Sequence, residues 1–441
     1  MLTVLASTGR VLRMHWPALV AWFLGGILAR YAGIQLAGLV GAHWSIGGLL
    51  LLPLGVVARL VSFVGMFLVV RDGLRELSLI APAPEDARER RAAFLQALLS
   101  GILPFFAVYA AWGMLRSDYE DYLMRALQVQ HGIVWGALAA GEEVHVDDAG
   151  GPGLGVWTFV VIVVAFGLRW AWKRWQKRLP RASALVAVYL EAVWVFFFVW
   201  TLRDLIGILS EWVSHRAAIV WVEDFRAWIG ERLAVLGWIW DGIGWALGEA
   251  GGILLQPLAW LTVAGVVYGQ AIAAERPTLD LGRGRRYIDL ARKRYSAAPG
   301  WARKRLGDLR DEVLSRFRPI GRSILLMWRA GPVVIATYVL LYTVALALSA
   351  LVRIALIRLV GPHDIATFWA IADAVLFLAI PLIVEPIRVS VVAAGYDATL
   401  GALRRSASSG QGSIENRAKD GSAEGTGTST QNGPSASAGT T

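Results

Sequence analysis

The chain alternates between long apolar runs and shorter polar segments. Each run is roughly twenty residues long, which is the length that an α-helix needs to cross about 30 Å of hydrocarbon. The pattern therefore predicts an all-α integral membrane protein with about eight transmembrane helices arranged in four hairpins. The predicted spans are residues 17–40, 47–70, 94–115, 154–172, 183–202, 252–274, 331–352 and 366–384.

The composition supports a membrane protein. Hydrophobic residues make up 56% of the chain and charged residues only 17%, whereas soluble domains carry about 25% charged residues. The chain has no cysteine, which excludes disulfides, thiolate metal sites and cysteine nucleophiles. Arg10 and Arg13 precede a first apolar run that is longer than a signal-peptide core, so we expect this run to be a retained span.

The polar segments alternate in charge along the chain. Residues 169–181 contain six basic residues and no acid, and residues 275–322 contain fourteen basic residues and six acids. Residues 116–153 instead contain two basic residues and seven acids, and residues 203–251 contain four and seven. Because basic loops stay in the cytoplasm, this alternation predicts a multi-pass protein of the bacterial inner membrane with both termini cytoplasmic.

A tryptophan-rich segment, residues 210–250, lies in one of the predicted outer loops. Its central part, WVEDFRAWIGERLAVLGWIWDGIGWA (residues 221–246), contains five tryptophans and six charges. At roughly 2.5–3.5 kcal/mol per buried charge this stretch is too polar to span a membrane. Its apolar residues fall on one half of a helix and most of its charges on the other. We expect an amphipathic helix that lies flat on the outer membrane face or packs over the protein's own outer surface.

Three further features predict partners or disorder. Gly244, Gly248 and Gly252 repeat every four residues, which leaves a bare helix face for a membrane-protein partner. The basic segment 275–322 is predicted to be a cytoplasmic loop in contact with anionic lipid. Its place beside a membrane argues against a nucleic-acid partner. Residues 405–441 are rich in small polar residues and are predicted to form a disordered tail.

Four charged residues fall inside the predicted spans and are candidate functional residues. Counting residues from the span ends gives Arg30 and Asp373 similar depths, and Arg59 and Glu191 similar depths. The pairs Arg30–Asp373 and Arg59–Glu191 are therefore predicted. Such charges either line a polar path or substrate site, or form buried ion pairs that determine which helices are neighbours.

One acidic loop contains candidate metal ligands. Residues 142–148 read EEVHVDD, and Glu142, Glu143, His145 and Asp147 could together hold a divalent cation. A solvated acidic loop explains the same residues without a metal. The sequence lacks the phosphate-loop, nucleophile-elbow and zinc-protease motifs, so no cofactor is predicted.

These features favour a non-enzymatic component of envelope assembly or transport in the plasma membrane. The alternative is a membrane-embedded enzyme that acts on a lipid-borne substrate at the outer face and uses the histidine and carboxylate residues of the outer loops.

Overall fold

The computed structural model describes residues 2–82, 84–142, 155–175, 178–180, 183–216, 251–273 and 330–424, and seven single residues between 221 and 249. Every regular element in these parts of the chain is helical. The helices are α1 (Leu2–Gly41), α2 (Ser45–Val70), α3 (Arg75–Ile80), α4 (Ala87–Ala111), α5 (Met114–Ala140), α6 (Val156–Trp175), α7 (Ser183–Ser214), α8 (Gln256–Ala273), α9 (Pro332–Val360) and α10 (Ala370–Glu424). Short π-helical turns, Gly251–Leu255 and Ile365–Trp369, precede α8 and α10.

Eight helical segments are long and apolar enough to cross a membrane, which confirms the number of predicted spans. They correspond one to one with the predicted spans but are mostly longer. α7 continues to Ser214 and α9 to Val360, beyond the predicted ends at residues 202 and 352. Sequence-based boundaries stop at the first charges, whereas the helices continue through them.

α1 and α2 pack against each other along most of their length because small residues line their contact. A Cβ atom added at Gly33 would lie 3.2 Å from the backbone nitrogen of Gly55. A Cβ atom added at Gly48 would lie 2.5 Å from the Cα atom of Gly41. Backbones this close gain dispersion contacts that larger side chains would prevent.

The helix pairs of the predicted hairpins pack differently from one another. α1 packs on α2, and α9 packs on α10. α4, however, packs mainly on α8 and α7, and α6 packs mainly on α7. Near one end of this assembly, Tyr338 of α9 donates a hydrogen bond to the carbonyl of Pro257 in α8 at 2.7 Å.

α10 extends far beyond the predicted eighth span. Its residues 389–397 are buried against α1, α2 and α8. The carboxylate of Asp397 accepts a hydrogen bond from the backbone N–H of Leu77 in α3 at 2.9 Å. The helical backbone continues to Glu424. Residues 425–441 lie outside the described part, and disorder of the tail, residues 405–441, stays a prediction.

α5 lies within a segment that the sequence assigned to an outer loop. It begins after Gly113, whose φ of 74° allows the sharp turn out of α4. It then packs across the C-terminal end of α1, where Gln130 donates to the carbonyl of Ala42 at 3.3 Å. α5 is not among the eight helices that are long and apolar enough to cross a membrane, but it brings acidic side chains to the bundle.

Candidate functional site: two buried polar clusters

The first buried cluster joins α1, α4 and α5, and we call it the Asp118 network. The Nε and Nη2 atoms of Arg30 donate to one carboxylate oxygen of Asp118 at 2.8 and 2.5 Å. The hydroxyl of Tyr109 donates to the other oxygen at 2.7 Å. Nη2 of Arg30 also donates to Asp121 at 2.7 Å. The side chain of Asp118 is 1% exposed and that of Asp121 is 52% exposed, so the network runs from the interior to the surface.

Burial dominates the electrostatics of Asp118. Loss of water raises the pKa of this carboxyl, and the nearby guanidinium of Arg30 opposes the rise. Two donors, the cationic guanidinium of Arg30 and the hydroxyl of Tyr109, therefore surround a carboxyl group that is shielded from water.

Arg59 extends the Asp118 network along α2. Its guanidinium carbon lies 5.7 Å from the centroid of the Tyr109 ring. Its Nε atom is buried and has no hydrogen-bond partner among the described residues. A cation within a span is usually paired. Arg59 instead has a cation–π contact and no carboxylate within ion-pair distance in the part of the chain that the structure describes.

The second buried cluster joins α9 and α10, and we call it the Arg388 cluster. Nη2 of Arg388 lies 2.5 Å from a carboxylate oxygen of Glu385 one turn earlier in α10. Nη1 of Arg388 donates weakly to the hydroxyl of Tyr342 at 3.5 Å. Arg388 is 7% exposed. The guanidinium of Arg388 also lies 4.5 Å from the centroid of the Trp260 ring in α8.

An aromatic layer separates the two clusters, formed by Phe63 of α2, Phe105 of α4 and Trp260 of α8. The ring centroids of Phe63 and Trp260 are 4.8 Å apart, and those of Phe63 and Phe105 are 5.9 Å apart. All three side chains are at most 2% exposed. Phe105 stacks on Tyr109 of the Asp118 network at 5.3 Å, and Trp260 adjoins Arg388 on the other side. The layer is therefore an apolar barrier between two charged regions.

The predicted charge pairs are wrong in their partners. Arg30 pairs with Asp118 and Asp121 rather than with Asp373. Glu191 lies 3.1 Å from Arg169 of α6 rather than pairing with Arg59. Asp373 is exposed near the start of α10. Depth alone says how far along a helix a charge lies and not which way it points.

Sequence reasoning missed the members of both clusters that lie outside the predicted spans. Asp118 falls in a predicted outer loop, and Arg388 falls beyond residue 384, the predicted end of the eighth span. The spacing of Glu385 and Arg388 by three residues, on one helix face, is a signal that could have extended that span.

The other predicted site residues are only partly placed. Glu142 is exposed at the end of α5, while Glu143, His145 and Asp147 lie outside the described residues. Added Cβ atoms at Gly244, Gly248 and Gly252 would meet nothing within 4 Å in the described structure. The basic segment 275–322 and most of the tryptophan-rich segment also lie outside it, so their predicted roles stay predictions.

Comparison of the chain with protein-family models, with curated proteins and with solved structures gives no match.

Proposed function

We propose that the chain is a non-enzymatic multi-pass protein of a bacterial plasma membrane that serves in transport. The proposed orientation has both termini in the cytoplasm, and the charge of the loops supports it. The observation that carries this proposal is the aromatic layer with a charged cluster on each side. A transport path must offer polar groups to a small polar solute while preventing a continuous leak.

The contacts that support a path run in series through the bundle. Asp118 accepts from Tyr109, whose ring stacks on Phe105. The Phe105 ring meets that of Trp260 at 6.1 Å, and the Trp260 ring lies beside Arg388. Buried aromatic rings exclude water, so a hydrophobic constriction of this kind closes a path by dewetting. The conformation described here is then the closed one.

Trp260 adds a polar group in the middle of the barrier. Its indole N–H is buried and has no hydrogen-bond partner in the described part of the chain. An unsatisfied buried donor costs about 1–3 kcal/mol. A donor kept at that cost is available to a solute or a water molecule when the rings move apart.

A role in envelope assembly is the second candidate, and the exposure of α6 favours it. Only 11% of the most apolar part of α6 is buried within the chain, against 61% for α2. α6 therefore offers a long apolar face to lipid or to another membrane protein. The two candidates differ in whether the aromatic layer controls permeability.

The test of transport is the permeability of vesicles that contain the purified protein. Phe105→Ala removes one ring of the barrier, and we expect it to increase the leak of protons or small ions above that of the wild type. Phe94→Ala is the matched control, because Phe94 lies on the same helix and stacks on Trp22 outside the layer. Leak is followed with a pH-sensitive dye trapped in the vesicles.

A Phe105→Ala protein that inserts and folds normally, yet leaves the vesicles as tight as the control variant does, would contradict transport through this layer. The assembly role would then be the better account.

A further inference from the structure

We propose that the solute of the transport path is a small monovalent anion such as chloride, which binds in turn to the guanidinium of Arg59 and to the indole N–H of Trp260. This substrate class rests on the proposed transport function. The hydrogen-bond donors and acceptors around the aromatic layer determine it, because a solute must satisfy the polar groups that it meets in a buried path.

The buried carboxylates beside the aromatic layer are already engaged. One oxygen of Asp118 accepts from Arg30, and the other accepts from the hydroxyl of Tyr109. A carboxylate oxygen of Glu385 lies 2.5 Å from Nη2 of Arg388. A cation that bound to either carboxylate would therefore have to compete with the arginine that is already paired to it.

Two buried donors on the same path, by contrast, have no acceptor in the described part of the chain. They are Nε of Arg59 and Nε1 of Trp260. Trp260 is 2% exposed, so bulk water does not supply the missing acceptor there. Leaving a buried donor unsatisfied costs free energy, and an anion that accepts from these groups removes that cost. The free hydrogen-bonding capacity of the path therefore favours an acceptor.

The buried ion pairs of the two clusters leave one positive charge in excess. Arg30 pairs with Asp118, and these two charges cancel. Arg388 and Glu385 cancel in the same way. Arg59 has no carboxylate within ion-pair distance among the described residues. An unpaired cation within a span is costly, and one monovalent anion beside Arg59 balances it.

The two donors lie in series with a second guanidinium. Arg59 precedes Phe63 by one turn of α2 and therefore adjoins the aromatic layer. Trp260 belongs to that layer, with its ring centroid 4.8 Å from that of Phe63, and rings packed this closely favour a small ion. Beyond them, the guanidinium of Arg388 lies 4.5 Å from the Trp260 centroid and 5.7 Å from the Phe63 centroid. Several weak sites in series let an ion both enter and leave a path.

Planar bilayers that contain the Phe105→Ala protein test which ion permeates. Under a tenfold gradient of potassium chloride, we expect the reversal potential to have the sign set by chloride. Adding Arg59→Gln should move the reversal potential to zero or to the sign set by potassium, whereas Arg59→Lys keeps the charge and should keep the preference for chloride. Arg353→Gln is the matched control, because Arg353 is exposed and lies against the Phe377 ring, outside both clusters. It should leave the reversal potential unchanged.

Anion binding by the full-length protein in detergent is a second measurement, and it does not require transport. A ligand that binds only the folded state raises the midpoint of thermal unfolding. At equal ionic strength, the midpoint of the wild type should be higher in chloride than in the much larger anion gluconate. Arg59→Gln should abolish this difference, and Trp260→Phe, which keeps a ring but removes the N–H, should reduce it. Trp22→Phe is the control, because Trp22 stacks on Phe94 outside the layer, and it should leave the difference unchanged.

A Phe105→Ala conductance with the sign of potassium would overturn the anionic substrate and leave transport in place. Equal wild-type midpoints in chloride and gluconate, or an undiminished difference in Arg59→Gln, would also overturn it. The absence of any Phe105→Ala conductance would instead contradict the transport function, and the substrate class would fall with it.

Discussion

Asp118→Ala is expected to lower the stability of the protein in detergent by about 3–5 kcal/mol, the cost of removing one partner from a buried ion pair. The substitution leaves Arg30 without its buried acceptor and Tyr109 without the acceptor of its hydroxyl. The buried hydroxyl of Tyr109 cannot turn to water, whereas Arg30, whose side chain is 19% exposed, keeps only its contact with Asp121. The midpoint of thermal unfolding measures the loss.

Asp121→Ala is the matched control for this prediction. Asp121 contacts the same nitrogen of Arg30 at 2.7 Å, but its side chain is half exposed. Exposed ion pairs contribute about 0–1 kcal/mol, so this variant should unfold close to the wild type. Adding Arg30→Leu to Asp118→Ala should restore part of the loss, because no charge is then left unpaired. Equal losses for Asp118→Ala and Asp121→Ala would show that burial does not strengthen the contact.

Gly48→Ala is expected to be the second large destabilisation. Its Cβ atom would lie 2.5 Å from the Cα atom of Gly41 and 2.8 Å from the carbonyl oxygen of Ala37. Both neighbours are backbone atoms of α1, so α1 and α2 would have to move apart. Overpacking typically costs about 1–3 kcal/mol, and the cost should be at the upper end here because no flexible side chain can yield.

Gly25→Ala separates this steric effect from helix propensity. An added Cβ atom at Gly25 of α1 meets nothing within 4 Å. Alanine in a helix interior is favoured over glycine by roughly 0.5–1 kcal/mol, so Gly25→Ala should be neutral or slightly stabilising. The two glycine variants should therefore change the unfolding midpoint in opposite directions, or one should leave it unchanged. Similar losses in both would contradict the close packing of α1 and α2.

The membrane spans could be predicted from the sequence because their signal is local. A run of roughly twenty apolar residues has few alternatives to a membrane helix. Ends were predicted less well, since charges such as Glu385 and Arg388 interrupted the run. Within the protein these two charges satisfy each other and adjoin Tyr342, so the helix continues where the hydropathy pattern stops.

The charge partners could not be predicted, because they depend on how helices turn toward each other. Arg30 pairs with carboxylates on α5. Residues 116–153 are acidic, and this acidic character predicts a polar loop rather than a helix. Glu191 of α7 pairs with Arg169 of the neighbouring helix α6. Counting residues gives only the depth of a charge in the membrane. Because spans tilt by about 20°, this depth is approximate, and several charges can share it. Similar depth therefore does not identify which two charges form a pair.

The proposed orientation puts the basic segments 169–181 and 275–322 in the cytoplasm. The natural sequence contains no cysteine, so a single introduced cysteine reports on its own position without background. Intact cells that express Ser296→Cys, Ser406→Cys or Asp147→Cys are treated with a membrane-impermeant maleimide. The cysteines at positions 296 and 406 should remain unlabelled until the membrane is opened, and the cysteine at position 147 should react at once. Labelling at position 296 from outside intact cells would contradict the proposed orientation.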